Sequence, residues 1–224
     1  MNVPRLPDGV ASGPDGAPRC AWCLASPEYV RYHDDEWGWP SADEVPLFEK
    51  LCLEGFQAGL SWLTILRKRP AFRAAFARFD PDRLARFGAR DVARLLRDEG
   101  IVRHRGKIEA AIQNARALLS LRDDVGSFAA HVWRFAPADG ARPRRLTLRA
   151  LRALSSTPES TALSKDLLRR GFRFVGPTTA YAFMQAKGLV NDHLEGCAAR
   201  PRVERAREAF AVPRGRKRHL PPDT

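Results

Sequence analysis

The chain is expected to fold as an all-α protein of about eight to ten short helices. Three observations predict this: apolar residues recur at three- and four-residue spacing, few segments alternate with period two, and helix start and stop residues bracket the periodic runs. Pro and Gly crowd residues 1–18, which read as a flexible tail before a core of about 19–200. "PLFEKLCLEGFQAGLSWL" is a mostly apolar helical run. "FDPDRLARF" opens with an Asp-Pro helix start, and "DVARLLRDEG" and "KIEAAIQNARALLSL" repeat at helical spacing, each ending near charge or Gly. The segment 133–147, "WRFAPADGARPRRLT", is an irregular loop, and the Pro- and Arg-rich residues 201–224 read as a second, basic tail.

Composition narrows the class of function. With 224 residues, 44% of them hydrophobic, the chain can bury one sizeable core. It has neither a run of about 18 apolar residues nor an apolar segment at its start, so we expect a protein of the cytoplasm with no membrane span. Four cysteines in that setting read as thiols or metal ligands rather than a disulfide framework. The net charge of +12 favours a polyanionic partner. It is not confined to the end of the chain: residues 198–224 hold eight Lys or Arg against three acids, a net of +5, residues 1–19 balance at zero, and residues 20–197 keep +7.

"ALSKDLLRRGFRFVGPTTAYAFMQAKGL", residues 162–189, is a pair of helices around a tight turn from Gly171 to Gly176. Pro177 takes the first position of the second helix, where its missing N–H costs nothing. That helix begins with free backbone donors beside a glycine, which lets a DNA phosphate approach. An ordinary helical hairpin would use the same glycines for packing. Two thiol and imidazole pairs stand far apart in the sequence, Cys20 with His33 and His193 with Cys197. Cys23 is a rival ligand three residues from Cys20, while Cys52 lies in an apolar helix and reads as core.

The segments "RCAW", "YHDDEWG", "LCLEGFQAGLSW", "IVRHRGKI", "RGFRFVG" and "GLVNDH" together resemble the DNA-3-methyladenine glycosylase I family over about residues 19–197. The resemblance implies a helix-hairpin-helix glycosylase-like fold whose N- and C-terminal segments are joined by a structural zinc site. It also implies hydrolytic excision of 3-methyladenine from alkylated double-stranded DNA by a monomer. Carried residue by residue, it makes Cys20, His33, His193 and Cys197 the ligands of one Zn2+. Two thiolates and two imidazoles form a closed tetrahedral set with no position for water.

The same resemblance places Trp22, Tyr32 and Trp62 around an extruded base, where indole and phenol faces suit a purine made cationic by methylation. Trp37 is a weaker candidate. Burying Glu54 unpaired in an apolar run would be costly, and the resemblance makes it the catalytic carboxylate of the pocket. Leu60, after Gly59, is a wedge for the gap left by the base, and Gly171 and Gly176 belong to the DNA-binding hairpin. Two positions depart from the wider superfamily. Asn191 stands where many members carry a catalytic Asp, with Asp192 one place later, and Thr178 stands where lyases carry a Lys. Both fit a monofunctional enzyme with water as the final nucleophile. The competing reading is a non-catalytic, zinc-stapled DNA-binding module; an Asp-dependent or lyase-type glycosylase is disfavoured by Asn191 and Thr178.

Overall fold

The computed structural model describes residues 6–138, 140–143 and 145–215. Among them a small sheet precedes eleven α-helices: α1 Pro27–Asp35, α2 Glu44–Gln57, α3 Trp62–Ala75, α4 Pro81–Leu84, α5 Ala89–Leu95, α6 Arg105–Val125, α7 Phe128–Trp133, α8 Leu148–Arg152, α9 Pro158–Arg169, α10 Pro177–Ala186 and α11 Ala199–Glu208. The count exceeds the expected eight to ten because α4 and α8 are four- and five-residue pieces that carry too little periodicity to be read alone. Of the expected irregular segment 133–147, Trp133 ends α7, and the described residues between it and α8 form no helix or strand.

Polar caps set most of these boundaries. Ser26, Asp80, Ser127 and Thr147 each accept from a backbone N–H three residues on. Thr157 and Ser160 exchange bonds in a capping box at the start of α9. Gly126, with φ of 87°, ends α6 in the left-handed conformation. At the centre is α2, buried without interruption from Leu47 to Phe56, so it is covered on all sides rather than along one stripe. Phe48, Phe56, Phe72, Phe76, Phe172 and Phe183 fill the core around it and are almost fully buried. Each such side chain contributes on the order of 1.5–3 kcal/mol.

Both expected tails need correction. Residues 6–18 do not form a tail: β1 Val10–Ser12 pairs antiparallel with β2 Pro18–Cys20, with Val10 opposite Cys20. Their Pro and Gly are turn residues, and Val10 joins a small apolar cluster with Cys20, Leu194, Cys197 and Ala199. Arg19 pins the strand pair to α1, donating to Asp15 (2.8 Å) and Asp34 (2.9 Å). At the other end, α11 buries Val203, Arg207 donates to the carbonyls of Gly188 and Leu189, and the Phe210 ring packs at a tilt against Trp133, 4.6 Å between centroids. The packed chain therefore runs to about residue 210; residues 1–5 and 216–224 of the expected tails lie outside the described residues. Among the described residues no helix is long and apolar enough to cross a membrane.

Candidate active site and metal centre

The two thiol and imidazole pairs meet. Cys20 at the end of β2, His33 on α1, and His193 and Cys197 in the turn before α11 place four ligand atoms within 4.8 Å of one another, all buried. His193 Nδ1 lies 3.1 Å from His33 Nε2, and Cys197 Sγ lies 3.5 Å from His33 Nε2 and 3.7 Å from His193 Nδ1. Bonds of about 2.0–2.3 Å to a tetrahedral ion put its ligand atoms roughly 3.3–3.8 Å apart.

The hydrogen bonds around the cluster make the same case. His33 Nδ1 faces the Asp34 carboxylate at 2.7 Å and His193 Nε2 faces the Trp37 carbonyl at 3.0 Å. Both partners accept only, so each ring carries a proton on its outer nitrogen and, in its neutral form, turns a bare lone pair toward the other ring. A cation between them resolves this, and the outer acceptors are the kind that orient metal-bound imidazoles. The cluster also attracts positive charge. Burial opposes protonation of His33, yet Cys197, Cys23 and Asp34 raise it to about 10. A hydrogen bond from Cys20 and the two imidazoles hold the Cys197 thiol far below its ordinary range. Cys23 is buried nearby but stands outside the four-ligand group.

A cavity of about 220 Å³, a size suited to one base, opens beside this centre. Trp22, Tyr32, Glu54 and Trp62 all line it. α1 presents Tyr32, which is buried; α2 presents Glu54, at 6% exposure; Trp62 is the first residue of α3, fixed by Ser61, which caps the helix through the Thr64 N–H. The Tyr32 and Trp62 rings are 5.3 Å apart. Trp22 is exposed at the rim and meets Trp37 edge-on at 5.1 Å. The Trp62 indole N–H is buried without a partner, a donor left over after folding.

Sequence reasoning missed Lys50 here. One turn before Glu54 and equally buried, it places its ammonium 2.6 Å from the Glu54 carboxylate, 2.7 Å from the Tyr32 hydroxyl and 3.1 Å from the centre of the Trp62 ring. The signal was present in "EKLCLE", where the cost of burying Glu54 applied equally to a lysine four residues upstream. Burial pushes Lys50 down to about 8, against the opposing pull of Glu54.

The carboxylate beside the vacated superfamily slot is not free for chemistry. Asp192 is buried and accepts from the Tyr181 hydroxyl (2.5 Å), the Gln185 amide (2.8 Å) and Arg142. Asn191 donates to the Arg200 carbonyl and to Glu204, tying the turn to α11.

α9 and α10 pack together across the predicted hairpin turn. Gly171, with φ of 87°, ends α9 in the left-handed region, so its freedom serves helix termination. Gly176 caps α10 ahead of Pro177, and a Cβ added there would meet nothing within 4 Å. Asn114 holds the turn by bonding both the N–H and the carbonyl of Arg173. Leu60 is exposed in the turn between α2 and α3, where Gln57 fixes its backbone at 2.7 Å.

Comparison with known proteins points one way. The profile of the methyladenine glycosylase family matches residues 22–200. The chain is 50% identical over 183 residues to DNA-3-methyladenine glycosylase 1 of Escherichia coli, covering 82% of this chain and 97% of that protein. It is 46% identical over 180 residues to the DNA-3-methyladenine glycosylase of Haemophilus influenzae, covering 80% and 96%. Among solved structures it is similar to 3-methyladenine DNA glycosylase I of Staphylococcus aureus, studied for its recognition of 3-methyladenine, at 38% identity with a TM-score of 0.74, covering 82% of this chain and 96% of that one.

Proposed function

Because this chain belongs to the methyladenine glycosylase family, we propose that it is a monofunctional DNA-3-methyladenine glycosylase, hydrolysing the N-glycosidic bond of 3-methyladenine in alkylated DNA. The observation that carries this reading is the convergence of Trp22, Tyr32, Glu54 and Trp62 on one base-sized cavity. A purine methylated at N3 is cationic and already a good leaving group, so the protein has mainly to extrude, hold and stabilise it. Tyr32 and Trp62 offer π faces to the cation, Glu54 supplies opposite charge, and Trp22 closes the rim. Water attacks the sugar; Thr178 has no amine for a Schiff base. A pure DNA-binding module has no use for a buried carboxylate in an aromatic cavity. Chromatography of the bases released from methylated duplex DNA tests the proposal: free 3-methyladenine is expected, and its absence would leave only the binding module.

Cys20, His33, His193 and Cys197 are read as holding one zinc ion. With four protein ligands the ion serves structure, fastening the start of the domain to its end. The α9–α10 pair is read as a helix-hairpin-helix that grips double-stranded DNA, with Gly176 and the start of α10 holding a phosphate and Leu60 filling the space of the flipped base. The enzyme is taken to act as a monomer in the cytoplasm. The open space around Gly176 makes a clean test: Gly176→Leu should leave the melting temperature near that of the parent and weaken binding to any duplex about equally, because phosphate contacts position the protein without reading the base. Altered base choice with unchanged affinity, measured by filter binding and excision together, would contradict this.

The basic end of the chain gives a second test. Removing residues 214–224 deletes Arg214, Arg216, Lys217 and Arg218 while leaving α11 and Phe210 in place. Binding should lose part of its salt dependence, at most about four units of slope, with excision under saturating protein unchanged. An identical salt slope would show that these charges do not meet DNA.

A further inference from the structure

We propose that Lys50 is a built-in rival of the cationic base: its ammonium occupies the Trp62 face and the Glu54 carboxylate that an alkylated purine needs, so base capture waits until that ammonium gives up its charge. This rests on the base-excision reading and adds to it a residue that sets when and how tightly the pocket takes a cation. A lysine ammonium held on an indole face, against a carboxylate and under a phenol is itself a bound cation, satisfied by the partners a methylated purine would seek. Two positive charges on one Trp62 ring repel, and one Glu54 cannot fully neutralise both.

The surroundings leave the lysine a way out. Lys50 also borders a second, smaller cavity of about 130 Å³, lined by Glu36, Glu49, Arg69 and Lys187. There, Glu36 and Glu49 are already committed to Arg69 and Arg73. Of the groups facing Lys50, Glu54 and Glu49 come from its own helix, Tyr32 from α1, Glu36 from the end of α1, Arg69 and Arg73 from α3, and Lys187 from the end of α10. Arg69 and Lys187 reinforce the effect of burial in lowering its proton affinity, and Glu54 alone does not restore it to the ordinary lysine range. Burial keeps the Tyr32 phenol un-ionised throughout the range in which Lys50 titrates. Once the proton passes to solvent, the amine has lost its ion pair and its cation–π contact, and it can turn toward the smaller cavity.

The experiment is calorimetric titration with 3,9-dimethyladeninium, a permanently cationic purine without a scissile bond, in buffers of different ionisation enthalpy. For a group titrating at about 8, the wild-type protein should release about one proton per cation bound at pH 7, and its affinity should rise about tenfold between pH 7 and pH 9. Lys50→Met, similar in length and apolar, should bind about tenfold tighter than wild type at pH 7, release no proton and lose the pH dependence. Lys50→Arg, charged throughout, should bind weakly at every pH; should Lys50→Met fail to fold, this variant and the wild-type proton count still decide. Excision of 3-methyladenine from methylated duplex is assayed on the same preparations. Excision by the wild type with no proton release on cation binding, and no gain in Lys50→Met, overturns the role of Lys50 alone. Absence of excision in both proteins overturns the base-excision reading and this proposal with it.

Discussion

Cys20→Ser and Cys197→Ser should each abolish metal binding at the four-ligand group and lower stability by several kcal/mol, with activity falling because the fold is lost. The size follows from what the centre joins. His33 and His193 are separated by 160 positions, and a cross-link closing a loop of that length restrains the unfolded chain by about 5 kcal/mol on the chain-entropy account. The apolar cluster shared by the two ends is small: among the described residues it buries Val10, Leu194 and Ala199 beside the cysteines, with Leu6, Leu148 and Leu151 packed against it. Elemental analysis should find roughly one zinc per chain, and thermal melts should show the loss in both variants. Cys23→Ser should keep the metal, since Cys23 lies outside the ligand group. A metal-free wild type, or a Cys20/Cys197 double variant that melts like it, would refute the closed-site reading.

What was legible in the sequence was whatever one short stretch of chain could decide. The 3.6-residue period of "KIEAAIQNARALLSL" suffices for α6, the Asp80-Pro81 start for α4, and Gly176-Pro177 for the start of α10. The segment at 6–18 was not legible, because Pro and Gly read alike in a tail and in a two-stranded turn. The residues that make it a turn, Leu194 and Cys197, arrive from the other end of the chain. The same holds for α11, whose Arg- and Pro-rich sequence looks solvated until Arg207 finds the carbonyls that follow α10. Asp192 shows the limit for function. Its position beside the superfamily's catalytic slot invited a chemical role, and only the fold reveals that Tyr181, Gln185 and Arg142 already engage it.

Glu54→Gln should slow excision by roughly ten- to a thousandfold, or about 1.4–4 kcal/mol, in a protein that remains folded. The substituted amide keeps the shape and loses the charge, which is the quantity a cationic leaving group uses. Trp62→Ala should weaken base binding separately, by removing the π face. Lys50 complicates the first result in a useful way. In Glu54→Gln it loses the anion that supports its charge, so its proton affinity falls further and part of the rivalry for the Trp62 face disappears. A carboxylate that acts on the base and one that merely anchors Lys50 therefore predict different double variants. If Glu54 stabilises the base, Glu54→Gln should impose its penalty in the Lys50→Met background as well, and there more fully, because no lysine remains to be released. If Glu54 serves only Lys50, the penalty should vanish in that background. Single-turnover excision from methylated DNA on the four proteins of this cycle, with zinc measured in each, separates the two. Wild-type rates in Glu54→Gln would remove the carboxylate from the chemistry, and Asp192, held by three donors, offers no replacement.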